Sequence, residues 1–440
     1  IKSQRGRILV ADEVGLGKTI EAGLIWTELE QRESLNRVLV IAPSSLTNKW
    51  REEMRRRFMR EMQIFRIKDL EEYLESLEVN PDAPLSAIMS LETLRGRASI
   101  QEMIEESEIE FDLVIIDEAH ALRNKGTQGN NLAQIIADNT RFFVLLSATP
   151  LNLGREDLFN LMNLLEPHQF PDFQVFQLQV EPNKHLLEAR RLALQGESSS
   201  ALRELGEIGG LQFGAPLVER PAFKKLEALL SSSELSVEDK ARINSLVNEL
   251  NTLSTTLNRT RKADTKDFQA TRRSETIEVS WTDEEWEFYE AVRAHFIEKA
   301  RRSKLPRGFI LQMPLRQTCS SLPVMAANLR DKQLLAEELI EEDDFFEYEE
   351  DELQALRDVG QGSVIDVKVP SVDSKLKEFL TLLERLRGTN QDKVLVFSFF
   401  RGTVNYLVEQ LQKRGFNVRG IHGGISPFDR YQMIKDFRAG

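Results

Sequence analysis

The sequence predicts an α/β protein. Residues 1–165 read as a doubly wound parallel-sheet lobe, 166–335 as a mostly helical insertion and connection, 336–370 as an acidic linker, and 371–440 as the start of a second α/β unit. Three observations carry this division. Over residues 7–150 short apolar, β-branched runs (RILVA, RVLVIAP, MQIFRI, SAIM, DLVIID, FFVLLS) alternate with longer helical patterns such as LTNKWREEMRRRF. Strands that are apolar throughout, and separated by helices, belong to parallel sheets covered on both faces. From about residue 155 to 335 the strand signal mostly gives way to a 3.6-residue period in EDLFNLMNLLEP, HLLEARRLALQ and SVEDKARINSLVNELNTLSTTL. After residue 371 the strand–helix alternation resumes.

Local signals support the individual elements. The helix beginning at SVEDK has Ser236 as its N-cap and Asp239 three positions on, an acidic form of the capping box. SETIEVSW alternates like a strand ahead of the helical DEEWEFYEAVRAHF. In the last unit the expected order is helix SKLKEFLTLLERLR, strand KVLVFSFF, helix TVNYLVEQLQKRG, strand NVRGIH, helix PFDRYQMIKDFRAG. The sequence opens on Ile1 and stops at Gly440 about two strands into this second sheet, so it reads as a piece of a longer chain.

Composition narrows the class. A chain of 440 residues is long enough for two or three domains with their own cores. At 41% hydrophobic and 29% charged it is ordinary for a globular protein, and no apolar run approaches the roughly 18–20 residues that span a bilayer. Cys319 is the only cysteine, which rules out an internal disulfide and points to a reducing compartment. The five histidines are scattered, so zinc spacing is absent. The net charge is −13, which argues against a surface that wraps nucleic acid indiscriminately and leaves room for a local basic groove. Much of the acid sits in EEDDFFEYEEDE, 341–352, with nine carboxylates in twelve positions. That tract reads as a solubilising loop, with masking of a basic groove as the sharper alternative.

The chemistry begins at DEVGLGKT, residues 12–19. The general phosphate-loop pattern is G-x-x-x-x-G-K-[ST] between a strand and a helix, and here Asp12 takes the place of the first glycine. Gly15, Leu16, Gly17, Lys18, Thr19 and Ile20 follow the strand RILVA and open the helix TIEAGLIWTELEQ. Glycines let the backbone turn its N–H groups toward phosphate oxygens, and the helix N-terminus adds partial positive charge. Lys18 is placed for the β- and γ-phosphates and Thr19 for Mg²⁺. A glycine-rich turn with an incidental lysine is the plain alternative.

A second motif weighs against that alternative. DLVIIDEAH, residues 112–120, is an apolar strand ending in Asp117, Glu118, Ala119 and His120. Ligands of open α/β sheets sit at the C-terminal strand ends, where these side chains project. Asp117 is placed to hold Mg²⁺, and Glu118 to orient and deprotonate an attacking water. FFVLLSATP, residues 142–150, delivers Ser147 and Thr149 to a third strand end, where small hydroxyls can bond the carboxylates and relay nucleotide state; His120 joins them as a coupling residue.

In this order and spacing, ADEVGLGKT, DEAH and SATP resemble motifs I, II and III of the superfamily-two helicase-like ATPases, and more finely the SWI/SNF-type DNA translocases, in which Asp12 for glycine is the usual form. VLVIAPSSLTNKWREEMRRRF resembles motif Ia of that family and IMSLETLRG its motif Ib. RTRKAD, VSWTDEEWEFYEAV and LRQTCSSLP resemble its inter-lobe region, and KVLVFSFFRGTVNYL with GIHGGISPFDRYQMIKDF the opening of its second lobe. ADEVGLGKTIEAG and SATPLNLG lean toward the bacterial HepA/RapA-like branch. The resemblance implies a RecA-like doubly wound lobe, a helical insertion and the beginning of a second RecA-like lobe. It matches no adenine-reading segment ahead of Asp12 and no motif V or VI, the motifs that supply an arginine finger worth about 10³–10⁵ in rate. Weak nucleotide binding and slow hydrolysis are therefore the expectation for these 440 residues alone.

The same resemblance implies a duplex held by its phosphates, with motif Ia (Pro43, Ser44, Ser45, Asn48, Lys49), motif Ib (Ser90, Thr93, Arg95) and, in the second lobe, Ser398, Arg401, His422 and Gly423 beside it. Short hydroxyl, amide and basic side chains suit backbone contacts, which position without reading sequence. Helix caps and solvated loops use the same residues. The basic runs RRRF, RTRK and RRSKLPR read equally as phosphate tracks or solvated faces, and Trp50, Trp281 and Trp286 read as core rather than stacking platforms.

The functional expectation is an ATP- and Mg²⁺-dependent, DNA-stimulated ATPase that translocates on double-stranded DNA and remodels a nucleoprotein, transcription or defence complex. The resemblance places it in a prokaryotic cytoplasm near the nucleoid, with no membrane role. RNA or single strands are the alternative polymers, and a strand-separating helicase or the motor subunit of a restriction or phage-defence complex, and a nucleotide-gated interaction module, are the alternative functions.

Overall fold

The computed structural model describes residues 6–13, 15–95, 98–107, 109–147, 155–232, 235–258, 274–302, 307–330, 368–387 and 393–439. The acidic tract 341–352, RTRKAD and Thr149 lie outside these described residues. The chain forms two compact units, residues 1–269 and 270–440.

The first unit is built on a parallel sheet of β1 (Arg7–Val10), β2 (Arg37–Ala42), β3 (Gln63–Ile64), β4 (Leu85–Ser90), β5 (Phe111–Ile116), β6 (Thr140–Leu146) and β7 (Leu257–Asn258), in the order β3-β4-β2-β5-β6-β1-β7. Alternation along each strand divides its side chains between two cores. Leu39, Ile41, Val114, Ile116 and Leu145 join one cluster, while Val38, Val40, Leu113, Ile115, Val144 and Leu146 join the other. Helices α1 (Lys18–Arg32) and α2 (Thr47–Phe58) cover the second cluster with Trp26, Trp50 and Met54. On the opposite face lie α3 (Ile67–Leu77), α4 (Leu91–Arg95), α5 (Ala98–Glu106), α6 (Gln128–Asp138) and α7 (Arg155–Leu165), contributing Leu70, Leu94, Ile104, Ile136 and Leu161. The sheet is thus doubly wound, as the continuously apolar strands require.

Two strands depart from expectation. MQIFRI supplies only the two-residue edge β3. β7 was not expected at all: after the helical insertion the chain returns to pair in parallel with β1, Leu9 against Leu257 and Val10 against Asn258.

The insertion comprises α8 (Phe173–Leu194), α9 (Ser198–Ile208), α10 (Ala215–Val218), α11 (Pro221–Leu230) and α12 (Val237–Leu250) around a core of its own that includes Leu186, Leu205, Phe223, Leu226 and Val247. The capping box of α12 forms as its sequence indicates. Asp239 N–H donates to Ser236 Oγ at 3.1 Å, and Ser236 N–H donates to Asp239 Oδ2 at 3.1 Å.

The second unit contains α13 (Asp283–Arg302), α14 (Arg307–Ser320), α15 (Leu322–Asn328), α16 (Ser374–Arg387), α17 (Arg401–Gln412) and α18 (Pro427–Ala439). Phe288, Val292, Phe296, Met313, Leu322, Met325 and Phe400 form its core. SETIEVSW, KVLVFSFF and NVRGIH, read above as strands, run without ladder pairing among the described residues. A strand needs neighbours to satisfy its backbone groups, and an apolar run alone does not provide them. Leu395 and Phe397 accordingly stand 68% and 88% exposed.

Trp286 is a second correction, being 51% exposed rather than core. Thr282 caps α13 in a capping box with Glu285, and Trp281 on one side of the cap packs against Trp286 on the other at a ring separation of 5.1 Å. This is a hydrophobic staple, which fixes how the chain enters the helix without burying either ring fully.

Candidate functional site

Strand order decides which motifs meet. β5, β6 and β1 are neighbours, with Ile116 opposite Leu145 and Val10 opposite Leu146. Asp117, Ser147 and the Asp12 loop therefore leave the same edge of the sheet within two strand spacings, about 10 Å. Two ladder bonds hold the edge in line: Ser147 N–H donates to the Val10 carbonyl at 2.9 Å, and Asp117 N–H to the Ile41 carbonyl at 2.8 Å.

The phosphate loop has the geometry its glycines permit. Gly15 and Gly17 both hold φ of 88°, a left-handed conformation that costs other L-residues roughly 1–2 kcal/mol. Gly17 is the N-cap residue of α1, so Lys18, Thr19 and Ile20 occupy the helix's first turn; within the loop, Leu16 N–H donates to the Glu13 carbonyl at 3.2 Å and Ile20 N–H to the Gly17 carbonyl at 2.8 Å. Lys18 Nζ lies back over the loop and donates to the Asp12 carbonyl at 3.1 Å.

Beneath the loop is an arrangement the sequence did not suggest. Glu21 hydrogen-bonds the buried Asp12, and Asn258 of β7 donates its side-chain amide to Glu21 Oε1 at 2.9 Å. Burial first, then the bond to and charge of Asp12, push the Glu21 pKa up to about 7, against the pull of Asn258 and Lys18. Position i+3 from Lys18 on α1 was the one legible hint; Asn258 lies 237 residues away.

Asp117 and Glu118 have distinct environments. Asp117 is buried, which raises its pKa; Trp50, the Glu118 backbone and Lys18 oppose that shift, and the Glu118 charge adds to it. Its Oδ1 accepts from Glu118 N–H at 2.9 Å and its Oδ2 from the Trp50 indole N–H at 2.9 Å. Glu118 sits at φ 51°, an uncommon conformation for a residue with a side chain and one that clusters at functional sites. His120 Nδ1 lies 3.2 Å from Glu118 Oε2. That contact, first, holds the Glu118 carboxyl below its ordinary range against the effect of burial, with His120 and Lys18 charges helping. Ser147 is fully buried, and its Oγ has no hydrogen-bond partner among the described residues.

The donors fit a nucleoside triphosphate with a hard divalent cation. Backbone N–H groups of the loop and Lys18 offer positive charge to phosphate, while the Thr19 hydroxyl and the Asp117 carboxylate are oxygen ligands of the kind Mg²⁺ takes sparingly alongside phosphates and water.

The neighbouring ends of β2 and β4 carry the other expected face. Ser44, Ser45, Asn48 and Lys49 are exposed, whereas Thr47, Trp50 and Met54 turn into the core. Pro43 precedes the turn Ser44–Leu46, and Ser44 N–H donates to Glu92 Oε2 at 3.0 Å, tying motif Ia to α4. Ser90 and Thr93 bond each other, and Thr93 N–H donates to Ser90 Oγ at 3.1 Å, so both serve as a local cap of α4. Arg95 ends α4; its side chain is outside the described set. Ser398, Arg401, His422 and Gly423 belong to the second unit. There Arg401 opens α17, and His422 Nδ1 accepts from Gly424 N–H at 3.2 Å.

A phosphate loop on β1, paired acids on β5 and a hydroxyl on β6, all at one edge of a parallel sheet, define a P-loop nucleotide-binding protein of the helicase-like class. The chain belongs to the SNF2-related domain family, whose model matches residues 2–323, and the helicase conserved C-terminal domain matches residues 374–440. The RNA polymerase-associated protein RapA of Vibrio cholerae is 33% identical over 266 residues, covering 58% of this chain and 26% of that protein. RapA of Pseudomonas syringae pv. syringae is 36% identical over 204 residues, covering 45% and 21%. The chain therefore spans about a quarter of the length of the curated relatives it matches. Among solved structures, the Sulfolobus solfataricus SWI2/SNF2 ATPase core in complex with double-stranded DNA aligns over 99% of this chain and 71% of that one, at 14% identity and a TM-score of 0.37. The Pyrococcus furiosus Hef helicase domain aligns over 99% and 81%, at 17% identity and a TM-score of 0.37. At that score neither bears on the arrangement of this chain. Among the described residues no helix is long and apolar enough to cross a membrane.

Proposed function

We propose that the chain is the motor portion of an ATP-dependent translocase on double-stranded DNA, which remodels a bound nucleoprotein or transcription complex without needing to separate the strands. The observation that supports this most is the shared sheet edge. Phosphate loop, paired acids and Ser147 occupy the ends of β1, β5 and β6, and an exposed row of hydroxyl, amide and lysine side chains follows β2 next to them.

In this reading the backbone N–H groups of Gly15, Gly17, Lys18 and Thr19, with the Lys18 side chain, bind the triphosphate, while Asp12 and Glu21 brace the loop. Thr19 and Asp117 hold Mg²⁺, which when bound neutralises charge on the phosphate oxygens. Glu118, kept ionised by the neighbouring His120, orients the attacking water and accepts its proton. Ser147, and with it Thr149, relays the nucleotide state of the site. Ser44, Ser45, Asn48 and Lys49, with Ser90, Thr93 and Arg95, hold strand phosphates in the first unit, and Ser398, Arg401, His422 and Gly423 are the nucleic-acid contacts of the second. Such contacts position nucleic acid without reading its sequence. The bacterial relatives carry a name that attaches them to RNA polymerase, which supports a transcription complex in a prokaryotic cytoplasm as the setting.

Displacement of a triplex-forming third strand tests translocation. The parent protein with ATP should strip the third strand and leave the duplex paired. Unwinding of a forked duplex without triplex displacement would replace translocation by strand separation, and activity on RNA alone would replace the polymer.

A further inference from the structure

We infer that Trp50 is a positioning residue that couples the exposed face of α2 to the Asp117 carboxylate, so that nucleic acid held at Ser44, Ser45, Asn48 and Lys49 adjusts the group that holds the catalytic cation. The inference rests on the nucleic-acid reading proposed above. Its geometry comes from the neighbouring strands β2 and β5. α2 follows β2 through the turn Ser44–Leu46, and Asp117 follows β5. On the first turns of α2, Asn48 and Lys49 face solvent while Thr47, Trp50 and Met54 face the core, so one rigid element has a wet face and a face against the site.

The contact itself is confined. Trp50 is 1% exposed and Asp117 6%, and the indole N–H meets Oδ2 at 2.9 Å. An indole N–H is a donor only, so it cannot exchange roles with the carboxylate. The other carboxylate oxygen is occupied by the Glu118 backbone N–H at 2.9 Å, which belongs to the same turn as Asp117 and cannot report on α2. Trp50 is thus the side-chain hydrogen bond through which the described part of α2 reaches this acid. A shift of the helix's first turn must move the indole with it, because Trp50 belongs to that turn and is buried in the same cluster as Val38, Val40 and Met54. Partners that orient a metal-holding carboxylate typically change metal affinity or activity by about 10–100-fold when removed.

The test uses the parent protein with Trp50→Phe, which keeps an aromatic ring and removes the donor, beside Met54→Leu, which perturbs the same cluster without touching Asp117. Three quantities are read: Mn²⁺ affinity in the presence of ADP by electron paramagnetic resonance, duplex affinity by fluorescence anisotropy, and the ratio of hydrolysis rates with and without duplex. Trp50→Phe should weaken Mn²⁺ binding about tenfold or more and reduce the stimulation ratio by a similar factor, with duplex affinity within about twofold of wild type. Met54→Leu should leave all three near wild type. Unchanged Mn²⁺ affinity and stimulation in Trp50→Phe, or the same losses in Met54→Leu, would overturn the coupling and return Trp50 to packing alone. If the wild-type protein itself shows no stimulation by duplex, the motor reading falls and the coupling with it. Stimulation that is present in wild type and retained in Trp50→Phe removes the coupling only.

Discussion

Replacing Gly17 by alanine separates backbone strain from steric crowding at the phosphate loop. A Cβ at Gly17 would meet nothing closer than Ile20 Cδ1 at 3.6 Å, an ordinary van der Waals contact, so there is no clash to relieve. The cost comes from φ of 88°, where an L-residue is disfavoured by roughly 1–2 kcal/mol. Gly17 is only half-buried and Gly15 is exposed, so the loop can leave this geometry without unfolding the sheet beneath it. The penalty should therefore appear in nucleotide binding rather than in global stability, as a loss of about 5–30-fold in affinity. Gly23 on α1 is the contrast. Its Cβ would run into the Phe58 ring of α2, which predicts an overpacking cost of about 1–3 kcal/mol in stability with the loop geometry unchanged. Titration with a fluorescent ADP analogue, together with denaturant unfolding of the first unit's signal in the parent protein, reads both quantities. Nucleotide affinity unchanged in Gly17→Ala, or a stability loss there as large as in Gly23→Ala, would show that backbone strain at Gly17 does not set nucleotide affinity.

Two further predictions concern the second unit. Glu285 is fully buried and accepts from Thr282 N–H and Oγ1 and from Ser374 N–H and Oγ, at 2.7–3.0 Å, joining the start of α13 to the start of α16. Glu285→Ala leaves these donors unpaired at two helix ends, and amide exchange at the start of α16 should rise by an amount equivalent to about 2–4 kcal/mol, whereas exchange in α1 should not change. Glu284 is pulled down to about 2 by its bonds to Lys368 and Ser371. Because the folded value lies below the unfolded one, the contribution of this contact is present above about pH 4.5 and is lost as pH falls toward 2. The difference in protection at residues 368–371 between wild type and Glu284→Gln should shrink across that window, and a difference that is flat with pH would contradict the assignment.

The candidate nucleotide site was legible because its chemistry is local. Two glycines, a lysine and a hydroxyl in five residues state their own backbone geometry, and the pair after DLVII needs only the end of a strand. The Ser236–Asp239 cap was legible for the same reason. What the residues did not state is pairing across distance. Nothing in LN at 257–258 announces a strand beside β1, yet Asn258 reaches Glu21 from there. Trp50 read as core, and it is core; that its N–H also holds Asp117 depends on β2 lying next to β5, which no periodicity encodes. Conversely KVLVFSFF has the composition of a strand and none of its pairing among the described residues, since hydrogen-bonded neighbours make a strand. Trp286 misled because an aromatic at the fourth helical position can serve a staple on the surface as well as a core.

We propose that the ends of β1, β5 and β6 hydrolyse ATP in response to nucleic acid beside β2. Steady-state ATP hydrolysis by the parent protein with duplex DNA, single-stranded DNA or RNA added in turn, and Glu118→Gln as the control, tests it most directly. Duplex should stimulate hydrolysis strongly, and the rate should fall by about 10²–10⁴-fold in the variant with nucleotide binding retained. Tight ATP binding with no response to any polymer, or equal rates in wild type and Glu118→Gln, would contradict it.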